Sequence, residues 1–442
     1  MFQTLRNAWK IVDLRKKILF TLFIILIFRI GSAITVPFVD VSVMSSATST
    51  NTFMQLLTLM SGGGFSNASI FALSITPYIN ASIIIQLLTV ALPPLERMAK
   101  DGEAGRKKLG QITRFTTVGL GLMLGVAYYF MVRNNYGAIV KEAQSGFAAW
   151  FAGIVIVLCC TAGSTLMMWL GEQINEKGIG NGISILLFAG ILSGIPQAAV
   201  YLWSYFYEAG IQQLAAGGLK YVILVPVILA LFVLIIAFIV FMTDAERRIP
   251  VQYAKRVVGR KMYGGQSTYI PIKVNMSGVM PIILASSIVS LPSIIASFIW
   301  GTNGTPKGFW APFFNAFSPD NAIYLFVLFV LIIAFAFFYV TIQYNPMEMA
   351  NNLRKNSGAI PGYRPGAPTA DYIKRVLSKV TLMGALFCGI IALFPGIFGM
   401  ITGITGLSLG GTSIMIVVGV ALETVQQIES QLMMRHYKGF LE

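Results

Sequence analysis

The sequence predicts an all-α polytopic membrane protein with ten transmembrane helices, five on each side of one external loop. Three observations lead there. Of 442 residues, 56% are hydrophobic and 11% charged, whereas a soluble domain carries about 25% charged residues. The apolar residues gather in runs of about 20, the length that crosses a bilayer. Lys and Arg fall almost entirely on one set of alternate loops, which fixes orientation by the positive-inside rule.

In order, the apolar runs are 18–36, 73–92, 115–132, 148–170, 183–203, 221–242, 275–298, 321–341, 376–394 and 408–428. The first follows Arg15, Lys16 and Lys17 as a signal peptide would, but it extends to Val36 and nine more runs follow, so it reads as a retained span. Segment 38–72 has no Lys or Arg, and its stretch Phe53–Met60 is followed by Ser61-Gly62-Gly63-Gly64 and then by Phe65–Leu73. Short and broken by glycine, it fits a re-entrant or half-inserted segment. The external loop 204–220 separates a first half, 18–203, from a second, 221–428. An odd number of spans per half makes the second half enter from the opposite side, the arrangement of an inverted repeat around a central pathway. The halves share no obvious sequence identity, so this is a geometric expectation.

The N-terminal segment 1–17, the loop from Arg97 to Arg114, the long loops 243–273 and 342–375, and the tail 429–442 hold most of the 32 Lys and Arg residues. The opposite side has Arg133, Lys141, Lys220 and Lys307, offset by Asp40, Glu142, Glu208 and Asp320. Arg29 and Glu423 cancel within the spans. The formal charge of +15 therefore belongs to one face, and both termini are expected in the cytoplasm. That charge reads either as a topology signal with attraction to anionic lipids, or as a docking surface for something large and acidic. The second reading draws on two basic loops longer than topology requires.

Several chemistries are excluded. The single histidine, His436, is in the tail and every aspartate is in a loop or flank, so no intramembrane protease site can be assembled. Cys159, Cys160 and Cys388 lie in apolar runs without metal or disulfide spacing and read as packing residues. Gly178-Ile179-Gly180-Asn181-Gly182 lacks the lysine of a phosphate-binding loop. No cofactor is expected. Ion-coupled transport usually buries ionisable residues at mid-membrane, and here only Arg29, Glu423 and the boundary Lys379 qualify. Arg29 lies about 18 Å beyond Lys17 at ~1.5 Å per residue. It is either satisfied by backbone carbonyls or by snorkelling, or part of a gate. Small and weakly polar residues take the place of charge in the spans. Gly121 and Gly125 suit close helix packing, and the proline-bearing runs 73–92 and 275–298 are candidates for a seam that opens.

Four segments carry a resemblance. They are Ser74-Ile75-Thr76-Pro77-Tyr78-Ile79-Asn80-Ala81-Ser82-Ile83-Ile84-Ile85-Gln86-Leu87-Leu88, Gly171-Glu172-Gln173-Ile174 with Gly178–Ser184, Arg247-Arg248-Ile249-Pro250-Val251-Gln252-Tyr253-Ala254, and Pro361-Gly362-Tyr363-Arg364-Pro365-Gly366. In this order they resemble bacterial SecY, the channel family of the Sec translocon, over essentially the whole chain. The resemblance implies two inverted five-helix halves around a central pore. It also implies a non-enzymatic, protein-conducting channel in the bacterial cytoplasmic membrane, driven by the SecA ATPase or by the ribosome. SecE, SecG and polypeptides bearing a signal sequence are the further partners implied.

Carried over by position, the resemblance implies a pore ring of Ile75, Ile79, Leu187, Ile283 and Ile416, with Leu187 where isoleucine is common. It implies a plug at 53–73, with Phe53, Ser61, Gly62, Gly63, Gly64 and Phe65. A lateral gate would use Asn80 and Gln86 against Asn275 and Ser286. SecA or ribosomal RNA would meet Arg260, Lys261 and Arg364, the RNA through its backbone charge. The competing reading of the composition is a ten-helix secondary solute transporter.

Overall fold

The computed structural model describes residues 6, 9–49, 58, 61–140, 146–204, 206–207, 219–253, 256–258, 261–263, 267–300, 311–317, 321–402 and 411–438. The first half contains α1 (Val12–Ala33), the short α2 (Val41–Ser49), α3 (Thr76–Ala91), α4 (Pro93–Lys100), α5 (Gly102–Phe130), α6 (Gly146–Lys177) and α7 (Gly182–Ser204). The second contains α8 (Leu219–Asp244), strands β1 (Glu246–Tyr253), β2 (Arg256–Val258), β3 (Lys261–Tyr263) and β4 (Ser267–Lys273), then α9 (Met280–Trp300) and α10 (Ala311–Ala316). It continues through α11 (Ala322–Gln343), α12 (Pro346–Lys355), β5 (Gly358–Ala359), α13 (Ala367–Thr402) and α14 (Gly411–Lys438).

Each of the ten apolar runs coincides with a helix, namely α1, α3, α5, α6 and α7, then α8, α9, α11, α13 and α14. Among the described residues five helices meet the length and apolarity of a full span. Large side chains such as Phe115, Phe241, Phe326 and Leu234 stand exposed on them, which is what a lipid-facing surface requires. The predicted ends need correction where a run is apolar without being helical. Residues 69–75 form turns, because the Ile70 amide bonds to the Ile34 carbonyl at 3.0 Å instead of to a helical neighbour. Thus α3 has only 16 residues, about 24 Å of helix. Pro93 and Pro94 then turn the chain by 106° into α4. In the other direction, α5 begins well before its apolar run, and its polar first turns carry an exposed Glu103–Lys107 pair at 3.1 Å.

The two long loops 243–273 and 342–375 hold a structure the composition did not announce. Strands β1 and β4 pair antiparallel from Glu246↔Lys273 to Gln252↔Ser267, and β5 from the other loop joins the free edge of β1 through Gln252↔Ala359. The side chains alternate, so Ile249, Val251 and Ile272 point into a cluster with Leu353, Ile360, Ile373 and Leu377. This small sheet is outside the spans.

Inside the first half, a Cβ added to Gly121 of α5 would lie 2.9 Å from Ser164 Oγ of α6, and one on Gly125 would lie 3.3 Å from Thr161 Oγ1 and from the Val157 carbonyl oxygen, the close packing expected of these glycines. Cys160 and Cys388 are buried in two separate apolar clusters, and all three cysteines are free. The Gly178–Gly182 turn is held by its surroundings. The Asn175 side chain accepts from the Gly182 amide at 2.8 Å, and the Thr21 hydroxyl of α1 accepts from the Ile179 amide at 3.1 Å. A Cβ on Gly182 would lie 1.9 Å from the Gly171 carbonyl oxygen, so the α6–α7 junction has room for glycine alone.

Candidate functional site: a bundle-centre constriction and its strand-bearing platform

One apolar cluster draws side chains from both halves. Ile75 occupies the N-cap of α3 and Ile79 lies one turn further. Leu187 comes from α7, Ile283 from α9 and Ile416 from α14. Ile75 and Leu187 are 1% and 2% exposed, and Ile283 and Ile416 are buried as well. Ile24, Phe28, Phe71, Leu170 and Ile174 pack around the same centre. The sequence does not reveal this convergence, since each residue alone looks like ordinary packing.

Beside that centre lies the glycine-rich segment. Phe53 falls outside the described residues. From Ser61 on, the chain is tightly turned. The Ser61 hydroxyl accepts from the Phe65 amide at 2.9 Å, and the Gly63 amide donates to the Thr58 carbonyl at 2.8 Å. Gly62 and Gly63 have φ of +64° and +86°, a region open to glycine at little cost. Phe65 is buried, edge-on to Tyr128 at 5.6 Å, and Phe71 stacks on Phe28 at 6.2 Å. The segment's far end is stitched to the end of α1 by bonds from Val36 to Ala68 and from Ile70 to Ile34. Its near end is held from α1 by Arg29, whose Nη1 donates to the Gly62 carbonyl at 2.8 Å.

The proline-bearing helices α3 and α9 share no broad contact; α3 packs mainly on α5 and α9 on α11. Asn80 is half-buried and Gln86 exposed, and the Ser286 hydroxyl donates within its own helix to the Ile283 carbonyl at 3.1 Å. Asn275 precedes α9, is buried, and its Oδ1 accepts from the Cys388 thiol of α13 at 3.8 Å.

At the sheet-bearing end, Arg364 projects from a turn between Gly362 and Gly366, both with positive φ. The Thr369 hydroxyl donates to the Arg364 carbonyl at 2.8 Å, and Tyr363 lies on Tyr372 with ring centres 4.3 Å apart. The guanidinium is exposed on a braced backbone. Lys261 opens β3 in the β2–β3 hairpin, while Arg260 lies outside the described residues. Sequence reasoning missed the sheet beneath them, although the alternation of Ile249 with Val251 and of Ile270 with Ile272 was its signal.

The sequence model of the SecY family matches residues 69–425. The chain belongs to the SecY family. Curated SecY-family relatives named protein translocase subunit SecY are 43% identical in Streptomyces galbus and 40% identical in Mycobacterium tuberculosis, each alignment covering all of both chains. Among solved structures, one described as a protein-conducting channel aligns with a TM-score of 0.62 and 18% identity, covering 94% of this chain and 92% of that one. The Sec61 channel of a canine ribosome–channel complex aligns at 0.59 and 16%, with the same coverage. At those identities the likeness is one of fold. This SecY-family chain is accordingly a multi-pass bacterial membrane protein of the channel fold.

Proposed function

We propose that the chain is the protein-conducting subunit of a bacterial translocase. It moves unfolded secretory polypeptides across the cytoplasmic membrane and releases hydrophobic segments sideways into lipid. It catalyses no reaction of its own. The observation that carries this reading is the convergence of Ile75, Ile79, Leu187, Ile283 and Ile416 from helices of both halves into one apolar cluster beside the glycine-rich segment. An apolar constriction dewets and blocks ions, yet offers no fixed hydrogen bonds to hold a polypeptide in transit. Segment 53–73 acts as the plug.

Both termini and the sheet-bearing loops face the cytoplasm, where Arg260, Lys261 and Arg364 dock the SecA motor or ribosomal RNA. The names of the relatives point to SecE and SecG as fellow subunits. A signal sequence passes between α3 and α9, where Asn80, Gln86 and Ser286 make no polar contact with the opposite helix among the described residues. A solute transporter is not favoured, because the spans lack a midplane set of ionisable groups.

Reconstitution with SecE and SecG tests the reading. ATP- and SecA-dependent protection of a preprotein inside vesicles is expected. Solute uptake without such protection would overturn it.

A further inference from the structure

Arg29 is the one charged side chain between Lys17 and the end of α1, and such a charge is costly in a membrane span unless it has a partner. Among the described residues it meets no carboxylate; its hydrogen bond goes to the Gly62 carbonyl, 33 residues away. The geometry at that acceptor is specific. Gly62 takes φ +64°, and a Cβ there would lie 3.1 Å from Gly190 Cα of α7, 3.2 Å from the Phe28 ring and 3.3 Å from Arg29 Nη1. The peptide is thus wedged between α1 and α7 in a conformation that favours glycine, with its oxygen turned to the guanidinium.

The two ends of the glycine-rich segment are attached differently. Residues 68–70 are bound to 34–36 through backbone groups, including an isolated bridge between Thr35 and Ser69. Such bonds break only if α1 and the segment part. Gly62 is held by a side chain, and a guanidinium carries five donors that water, a carboxylate or a passing backbone carbonyl can occupy instead. One attachment is a hinge anchor and the other an exchangeable clasp.

We propose that Arg29 is a positioning residue that latches the plug closed, and that transfer of its hydrogen bond from Gly62 to water or to the entering polypeptide is a step of channel opening. This rests on the reading of 53–73 as a plug. Arg29 acts through the plug and forms no part of the ring itself.

The test uses the complex with SecE and SecG in planar bilayers and in vesicles. Arg29→Met keeps length and removes the donors, whereas Arg29→Lys keeps a donor and the charge. Arg29→Met is expected to raise both the resting ion leak and export of a preprotein with a defective signal by about tenfold, the ratio that ~1.4 kcal/mol represents. Arg29→Lys should restore most of the seal. Amide exchange across 61–66 should quicken in the methionine variant alone. Gly62→Ala, which crowds the same carbonyl from the α7 side, should match Arg29→Met and add nothing to it.

The decisive arm repeats Arg29→Met in a chain lacking 53–60. No further leak there supports the latch; an additive leak means that Arg29 acts elsewhere and overturns it. A leaky deletion together with an Arg29→Met that is silent in the full-length chain overturns the latch and leaves the plug reading standing. A silent deletion defeats the plug reading, and the latch with it.

Discussion

Gln252 of β1 pairs with Ala359 of β5, joining two loops more than a hundred residues apart into one sheet. The pairing makes the surface proposed for docking a single body. Ile249 and Val251, on the buried face of β1, meet Leu353, Ile360 and Ile373 from the other loop and its flanking helices. The turn that presents Arg364 follows β5 directly, so its position depends on that shared core.

The sheet core should therefore control docking but not the seal. Ile373 is fully buried, and Ile373→Ala should cost about 2–5 kcal/mol in that core. SecA and ribosome affinity should fall together while the resting conductance in bilayers stays at the wild-type level. A rise in conductance would show that the platform and the constriction are coupled.

The constriction has its own signature. Ile79→Asn puts an amide among the apolar side chains, and Ile283→Gly opens a gap in the cluster while adding about 1 kcal/mol of helix-propensity cost. Each should raise the resting ion leak in single-channel recordings. Leu187→Ile conserves volume and should stay near wild type, since such swaps usually cost less than about 1.5 kcal/mol. Equal leak from all three variants would remove the ring assignment.

Much of the architecture was legible because membrane spans are written in apolar length, and every run found a helix. What stayed hidden depended on pairing across distance. The carbonyl of Ile34 captures the amide of Ile70, so an apolar run that reads as helix starts as turns. The alternation of Ile249 with Val251 and of Ile270 with Ile272 is short and flanked by charge, and long apolar helices on both sides obscure it. Asn275 lies at the start of an apolar run, yet the helix begins only at Met280, and the side chain of Asn275 meets Cys388. Arg29 stood out as a charge in a span, but the carbonyl that satisfies it belongs to a residue with no side chain to read.

The seat of the proposed plug gives a further prediction. Phe65 is buried edge-on to Tyr128, in one cluster with Met44, Val132 and Ile156. Phe65→Ala should remove about 3–5 kcal/mol of anchoring and loosen the segment without deleting it. Export of preproteins with defective signals should rise, while export of wild-type preprotein changes little. Unaltered discrimination in a vesicle assay would argue that 53–73 is an external cap.

Arg364 separates motor docking from folding. Its guanidinium is exposed and has no carboxylate partner among the described residues, while the turn beneath it is set by Thr369, by the Tyr363–Tyr372 contact and by two glycines with positive φ. Reversing the charge breaks none of those contacts, so Arg364→Glu should shift stability by no more than about 0.5 kcal/mol, as for other exposed sites. SecA-driven export should nevertheless be abolished if the motor meets Arg364 through acidic groups, because a carboxylate there would repel what the guanidinium attracts. Membrane insertion of hydrophobic segments, proposed to use the seam between α3 and α9, should be less affected. Arg364→Lys should be intermediate, keeping the charge but losing the planar fork. Assaying export and insertion on the same vesicles checks the assignment. Equal loss of both, with a lowered melting temperature, would trace the defect to the fold of the turn instead of to the motor.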